Sequence, residues 1–290
     1  MILRRLLWHL NRSPAKGMIK YGLRKIHRRE LRERKALARQ LQVTQEAAAV
    51  ARSVRADGYS HADGLLTLGS RESLAAAVLG AKGTSVRGSK AFGAHKDFWT
   101  HVLESQMVDG SLPVSSPFVQ FALQPAVIGA LAHIYGEIPR LDYVTVTHSR
   151  PSGPELKYSQ LWHRDYDDVK VIKLFVYLTD VEEGDGPFTF VPGPVSDKVG
   201  FMLRSHRPDG EMERVLDVEK AVSIKGPRLT SFMVETSRCF HMGSRVADGH
   251  GRLMYTATFI SAPRIYPERP RPFFKLDGSE TPLERALLAC

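Results

Sequence analysis

The sequence predicts an α+β protein with a mainly β core: a helical N-terminal layer on a β double sheet, either a sandwich or a barrel. Three observations predict it. The first third is rich in Leu, Ala, Arg and Glu at helical spacing. After Pro139 the apolar period switches to two. Turns containing Gly and Pro then cut the remainder into many short strands.

Taken in order, residues 28–55 read as helix, with Glu30 four residues before Arg34, and Ala56-Asp57-Gly58 ends the run. Ser70-Arg71-Glu72 opens a second helix, with Ser70 as N-cap, that reaches Gly80. A third helix is predicted over 96–108, stopping at Asp109-Gly110. A fourth begins at Pro125, a residue suited to the first helical position, and ends at Gly136. In the stretch 141–149, Tyr143, Thr145 and Thr147 alternate with Val144, Val146 and His148, which is strand period. Further strands are expected at 169–179, 187–192, 198–203, 220–224, 229–236, 238–242 and 252–261. The turns between them include Glu183-Gly184-Asp185-Gly186, Pro192-Gly193-Pro194 and Pro208-Asp209-Gly210.

The 290 residues suffice for a sizeable core, and 43% apolar with 25% charged residues is ordinary for a globular protein. The net charge of +10 is unevenly placed. Residues 1–40 carry thirteen Lys and Arg against Glu30 and Glu33, while the rest of the chain is almost neutral. The expected organisation is therefore a basic N-terminal arm, 1–40, before a single domain, 41–290. The high isoelectric point says nothing about the body's own ligand. Two cysteines, Cys239 and Cys290, make no disulfide framework, no apolar run is long enough to span a bilayer, and Ile2–Leu10 is too short and interrupted for a signal peptide. The expected location is cytoplasmic.

The densest local motif is Leu161-Trp162-His163-Arg164-Asp165-Tyr166-Asp167-Asp168. On a strand, His163 and Asp165 at i and i+2 project from one face. His241 follows in a second strand-like run, and Arg252 opens the strand after it. Two imidazoles and one carboxylate can occupy one face of a metal and leave positions open, as in non-haem Fe(II) oxygenases. An Arg beyond the second His offers a planar fork to the carboxylate of a 2-oxo acid. Singly, these features have plainer readings: a core histidine, a solvated strand-edge Arg, a buried small Cys239, a core Trp162, turn-capping Asp167 and Asp168.

The ordered combination resembles the phytanoyl-CoA dioxygenase-like family of Fe(II)/2-oxoglutarate oxygenases. The resemblance rests on Trp162-His163-Arg164-Asp165, Val176-Tyr177-Leu178-Thr179-Asp180, Gly186-Pro187-Phe188-Thr189-Phe190-Val191-Pro192-Gly193, His241-Met242-Gly243 and Arg252, and covers roughly residues 55–262. It implies a double-stranded β-helix (jelly roll) with N-terminal helices packed on one sheet. It implies His163, Asp165 and His241 as ligands of Fe(II), and Arg252 as partner of the distal carboxylate of the cosubstrate 2-oxoglutarate. His148 is expected to touch the cosubstrate, Arg150 to face substrate or cosubstrate, and Tyr166 to border the substrate. With dioxygen as second cosubstrate, the implied reaction hydroxylates a small-molecule or glycan- or lipid-linked substrate and releases succinate and CO2. The family often continues Pro-Gly-Ser-His where this chain has Pro192-Gly193-Pro194-Val195, a departure that bears on substrate contacts rather than on the ligands.

Other readings compete. His163-Arg164-Asp165 matches a protein-kinase catalytic loop, but Lys170 stands where that loop needs Asn. A cupin-like metal protein would share the histidines and have no use for Arg252. A catalytically dead jelly roll would act as a binding module through its basic arm. In that arm, Ile2, Leu3, Leu6, Leu7, Trp8 and Leu10 interleave with Arg4 and Arg5, the pattern of an amphipathic helix on an anionic membrane surface, against the plainer reading of a solvated tail. Nucleic acid is disfavoured, because the arm has few aromatics and the body adds no basic excess.

Overall fold

A computed structural model describes residues 13, 15–82, 86–87, 98–103, 111–200, 202, 204–265 and 273–288. The helices are α1 (Lys16–Ile26), α2 (Arg28–Gln40), α3 (Gln45–Asp57), α4 (Leu68–Lys82), α5 (Pro117–Ala122), α6 (Pro125–Tyr135), α7 (Gly193–Ser196), α8 (Asp209–Met212) and α9 (Pro282–Leu288). The strands are β1 (Tyr59–His61), β2 (Val86–Arg87), β3 (Trp99–His101), β4 (Leu112–Pro113), β5 (Arg140–Ser149), β6 (Trp162–His163), β7 (Val171–Tyr177), β8 (Phe188–Phe190), β9 (His206–Arg207), β10 (Val222–Ile224), β11 (Ser231–Glu235), β12 (His241–Met242), β13 (Arg252–Ile260) and β14 (Phe274–Lys275).

The larger sheet runs β1-β11-β7-β13-β5-β3-β2 and the smaller β10-β8-β12-β6-β9. The chain passes between the sheets as it goes: β5, β7, β11 and β13 lie in the larger, and β6, β8, β10 and β12 in the smaller. That is a double-stranded β-helix. Strand period sets the two faces of the larger sheet. Phe175, Tyr177, Phe232, Val234 and Met254 meet Phe188 and Phe190 between the sheets. The alternate residues Leu174, Val176, Met233, Leu253, Tyr255 and Ala257 pack against Val50, Val54, Leu74, Ile128 and Leu131 of the helices.

The expected helices hold in outline, with three differences. The run 28–55 is broken at 41–44, where Thr44 caps α3 by accepting from the Ala47 N–H (3.1 Å). Thr67, not Ser70, caps α4: its hydroxyl accepts from the Ser70 N–H at 3.1 Å. Where a helix was expected over 96–108, residues 99–101 form strand β3 and pair with β5. Its Trp-Thr-His sequence suits a pleated surface, and an available edge outweighs weak helical spacing. Residues 96–97 and 104–108 lie outside those described. No strand forms among the described residues of 198–203.

The basic arm is not a separate unit over its described part. Lys20 of α1 is buried. It donates to Asp168 (2.7 Å) and to the carbonyls of Ser261 (2.9 Å) and Pro263 (2.5 Å). Arg24 forms a two-pronged pair with Glu137 at 2.7 Å for both contacts. Arg34 of α2, also buried, donates to Glu30 and to the carbonyls of Ile138 and Pro139. Residues 1–12, with the amphipathic pattern at 2–10, lie outside the described residues.

Candidate metal centre

His163 ends β6 and His241 opens β12, adjacent antiparallel strands in which the two residues are direct cross-strand partners. Their rings lie 4.2 Å apart between centroids. Asp165 leaves the strand two residues after His163, its N–H held by the Thr236 carbonyl at 2.9 Å. One ligand atom from each of His163, Asp165 and His241 lies within 4.8 Å of the others. The three predicted ligands are thus brought together, by strand period and cross-strand register.

The protonation of the cluster suits a cation. His163 Nδ1 lies 2.8 Å from the Leu161 carbonyl and His241 Nδ1 lies 3.0 Å from the Cys239 carbonyl. A carbonyl only accepts, so each Nδ1 carries a proton and Nε2 is the ring nitrogen left to face a metal. Burial, then the neighbouring His241, holds the His163 imidazole well below its ordinary value, so it is neutral. Burial opposes charge on Asp165, but Lys173 at 2.8 Å outweighs it and keeps the carboxylate far below its usual range. Lys173, on the inward face of β7, is in turn held above its ordinary value by Asp165 against the cost of burial.

Arg252 is fully buried at the start of β13. It donates to the Gly186 carbonyl and to Ser244 Oγ (3.0 Å), and its guanidinium carbon sits 5.9 Å from the Tyr177 ring centroid. Ser244 also receives the Trp99 indole N–H at 2.8 Å and lies 3.0 Å from Ser149 Oγ. The Gly-Pro turn has a local reason. Gly186 stands at φ +66°, and a Cβ there would fall 2.8 Å from the Arg245 backbone, so only glycine brings this carbonyl under Arg252. Among the described residues no carboxylate pairs with Arg252, and its Nε is buried without a hydrogen-bond partner. A buried guanidinium left in this state is incomplete without an anion.

The other expected site residues lie differently. His148 is the cross-strand partner of Leu253, which packs on the helical side, whereas Arg252 pairs with Ser149. His148 therefore stands on the face of β5 turned away from the cluster, and Thr147 and Ser149 take the inward face. Arg150 sits beyond the same edge, its guanidinium donating to Thr100 Oγ1 of β3. Tyr166 is half-buried beside Asp165, its carbonyl accepting from Lys16 Nζ at 3.1 Å. Neither Asp167 nor Asp168 orients a ligand histidine, since backbone carbonyls do that. Cys239 packs against Gly58 in the core between the sheets, and burial pushes its thiol up to about 12.

Sequence reasoning missed Lys173, Lys16, Lys20 and His206. A lysine within the buried run Val171-Ile172-Lys173-Leu174-Phe175 was a readable signal, because such a charge needs a partner. His206 of β9 stacks on the His163 ring (4.8 Å, 22°), and nothing in the sequence marks that contact.

No family model matches the chain, and no curated protein matches it in sequence. Solved structures do match in fold. The non-heme alpha ketoglutarate dependent epimerase SnoN from nogalamycin biosynthesis aligns with TM-score 0.53 and 20% identity, over 81% of this chain and 91% of its own. EctD from S. alaskensis, solved with 2-oxoglutarate and 5-hydroxyectoine, aligns with TM-score 0.54 and 14% identity, over 80% and 85%. HygX from Streptomyces hygroscopicus, with nickel and 2-oxoglutarate bound, aligns with TM-score 0.50 and 15% identity, over 76% and 88%. This chain has a jelly-roll fold and shares it with those three proteins.

Proposed function

We propose that this protein is an Fe(II)- and 2-oxoglutarate-dependent dioxygenase of phytanoyl-CoA dioxygenase-like type that hydroxylates a small molecule. One observation carries the reading: two imidazoles and one ionised carboxylate converge, in the same jelly roll as a buried guanidinium that pairs with no carboxylate among the described residues. His163, Asp165 and His241 would hold the iron, and Arg252 the distal carboxylate of 2-oxoglutarate. Bound together, iron, 2-oxoglutarate and dioxygen supply oxidation of a substrate C–H bond with release of succinate and CO2. The protein's part is to hold and to shield. Leu161 and Cys239 carbonyls fix the two rings, Lys173 balances Asp165, and Ser244 with the Gly186 carbonyl aims Arg252. Phe175, Phe188 and Phe232 exclude water between the sheets. A carboxylate at 165 favours hydroxylation over halogenation, since a halide would need that ligand's place.

The test is anaerobic addition of Fe(II) and 2-oxoglutarate. The wild type should develop the visible charge-transfer band of a chelated 2-oxo acid, and Asp165→Ala should lose both the band and succinate release. A wild type that binds iron but shows no band would instead favour the cupin-like reading.

The substrate class and location follow as part of the same proposal. The exposed face of α1 carries Met18, Tyr21 and Ile26, which are 75%, 64% and 79% exposed, beside exposed Lys25, Arg28 and Arg29. Apolar side chains among cations suit peripheral contact with an anionic membrane, and hence a cytoplasmic enzyme acting on a small-molecule or glycan- or lipid-linked substrate near the bilayer. No helix among the described residues is long and apolar enough to cross a membrane. Co-sedimentation with phosphatidylserine vesicles tests the contact, and absence of binding at low salt would remove it.

A further inference from the structure

A cavity of about 230 Å3 lies where α1 meets the loop that follows β6. Lys16, Arg164, Asp165, Tyr166, Asp168 and Phe240 are in its wall. Both acids are already matched: Asp165 pairs with Lys173 at 2.8 Å and Asp168 with Lys20 at 2.7 Å. Both cations of the wall are not. Lys16 gives one hydrogen bond, to the Tyr166 carbonyl, and its ammonium lies 5.7 Å from the Tyr166 ring centroid. Arg164 lies over the Phe240 ring at 4.0 Å and donates to the carbonyls of Ser196 and Val199. Neither has a carboxylate within ion-pair distance among the described residues. The wall therefore carries two cations without counter-ions, two aromatic rings, and a metal-ligand carboxylate as a neighbour. Asp167 adds a weaker field at Lys16, opposed by the Lys20 ammonium.

We propose that this cavity receives the acidic group, carboxylate or phosphate, of the enzyme's substrate, with Lys16 as its principal partner. The proposal rests on the dioxygenase reading for what the ligand undergoes, but not for the binding of the anion. At roughly 30 Å3 per water, the space equals about eight waters, the size of a short-chain acid or of the acidic head of a larger molecule. Tyr166, half-buried in the wall, offers an apolar face to the adjoining carbons. The N-terminal helix thereby becomes part of the site: it supplies one wall of the cavity, and Lys20 and Arg24 dock it there. A half-buried ammonium keeping two donors free, in a wall whose acids are spent, is a specificity element that excludes cationic and disfavours neutral substrates.

The test uses the full chain with 13C-dimethylated lysines. The Lys16 resonance is assigned by its absence from Lys16→Arg, and sodium acetate and inorganic phosphate are titrated separately at constant ionic strength. The Lys16 signal should shift saturably in the millimolar range, while that of exposed Lys25 should not saturate. A Lys16 signal that only tracks Lys25 overturns the proposal. The stronger of the two anions identifies the acid class. That anion should raise the melting temperature of wild type and of Lys16→Arg, but not of Lys16→Met; equal stabilisation of all three also overturns it. In a succinate-release screen, acids should outperform their amides, with KM at least tenfold lower. Failure of the dioxygenase reading shows separately, as absence of the Fe(II)–2-oxoglutarate band while the Lys16 shift persists.

Discussion

At the scale of single residues, the centre is built from charges that need one another. Among the described residues Lys173 is the cation paired with the mostly buried Asp165 carboxylate, and its removal leaves that charge without this partner in the metal-free protein. Lys173→Met should lower stability in denaturant unfolding by about 3–5 kcal/mol. Added Zn(II) should recover part of the loss by supplying a new counter-charge. Lys16 makes the opposite case. Burial, partly offset by Asp168, Asp167 and Asp165, lowers its ammonium from 10.5 to about 8. A base held below its unfolded value costs stability when protonated. That cost is full below pH 8, shrinks between 8 and 10.5, and vanishes above. Lys16→Met should therefore be more stable than wild type at pH 7, with the gain fading as pH nears 10.5. Urea unfolding at pH 7 and pH 10 measures it, and an equal gain at both would break the link to the proton. A residue that weakens the fold where it stands fits a site kept for binding.

At the scale of elements, α1 decides whether residues 16–40 are tail or wall. Lys20 reaches Asp168, 148 positions away, and both are buried. Lys20→Met should destabilise by about 3 kcal/mol, because Asp168 is left charged and unpaired. Adding Asp168→Asn should restore more than half of this, since a neutral amide needs no cation. Thermal unfolding of the single and double variants measures the coupling, and a silent Lys20→Met would show that the helix is not docked through this pair. The short strands β6 and β12 show the same dependence on context. Each has two residues, too few to hold itself, yet their pairing places His163 against His241. Trp162 and Phe240, the residues just before, anchor the opposite face among Val191, Met212 and Leu216.

At the scale of the whole molecule, metal binding is linked to folding, because His163, Asp165 and His241 meet only in the closed jelly roll. Mn(II) at a hundred times its Kd should stabilise by about 2.7 kcal/mol. For a chain of this size that is a rise of roughly 5–10 °C in melting temperature. Differential scanning fluorimetry with Mn(II) against EDTA checks it, and the rise should vanish in His163→Ala. A shift that survives this substitution would place the metal elsewhere.

What the sequence determined by itself was local and periodic. The spacing of His163 and Asp165 placed both on one face of a strand. Pro125 and Gly136 bounded a helix, and Gly186-Pro187 marked a turn. His241 and Arg252 were legible only through their order after that first pair. The tertiary structure decided which face is which. His148 and Ser149 differ by one step in a period of two, and only the register against β13 shows that Ser149 shares the Arg252 face while His148 turns to the helices. Tertiary pairing likewise made a strand of 99–101 and docked part of a basic arm through the buried Lys20 and Arg34. The physical reason is common to all three. Backbone period is set by neighbours along the chain, whereas burial and charge compensation are set by partners such as Lys20 and Asp168, which no local pattern brings together.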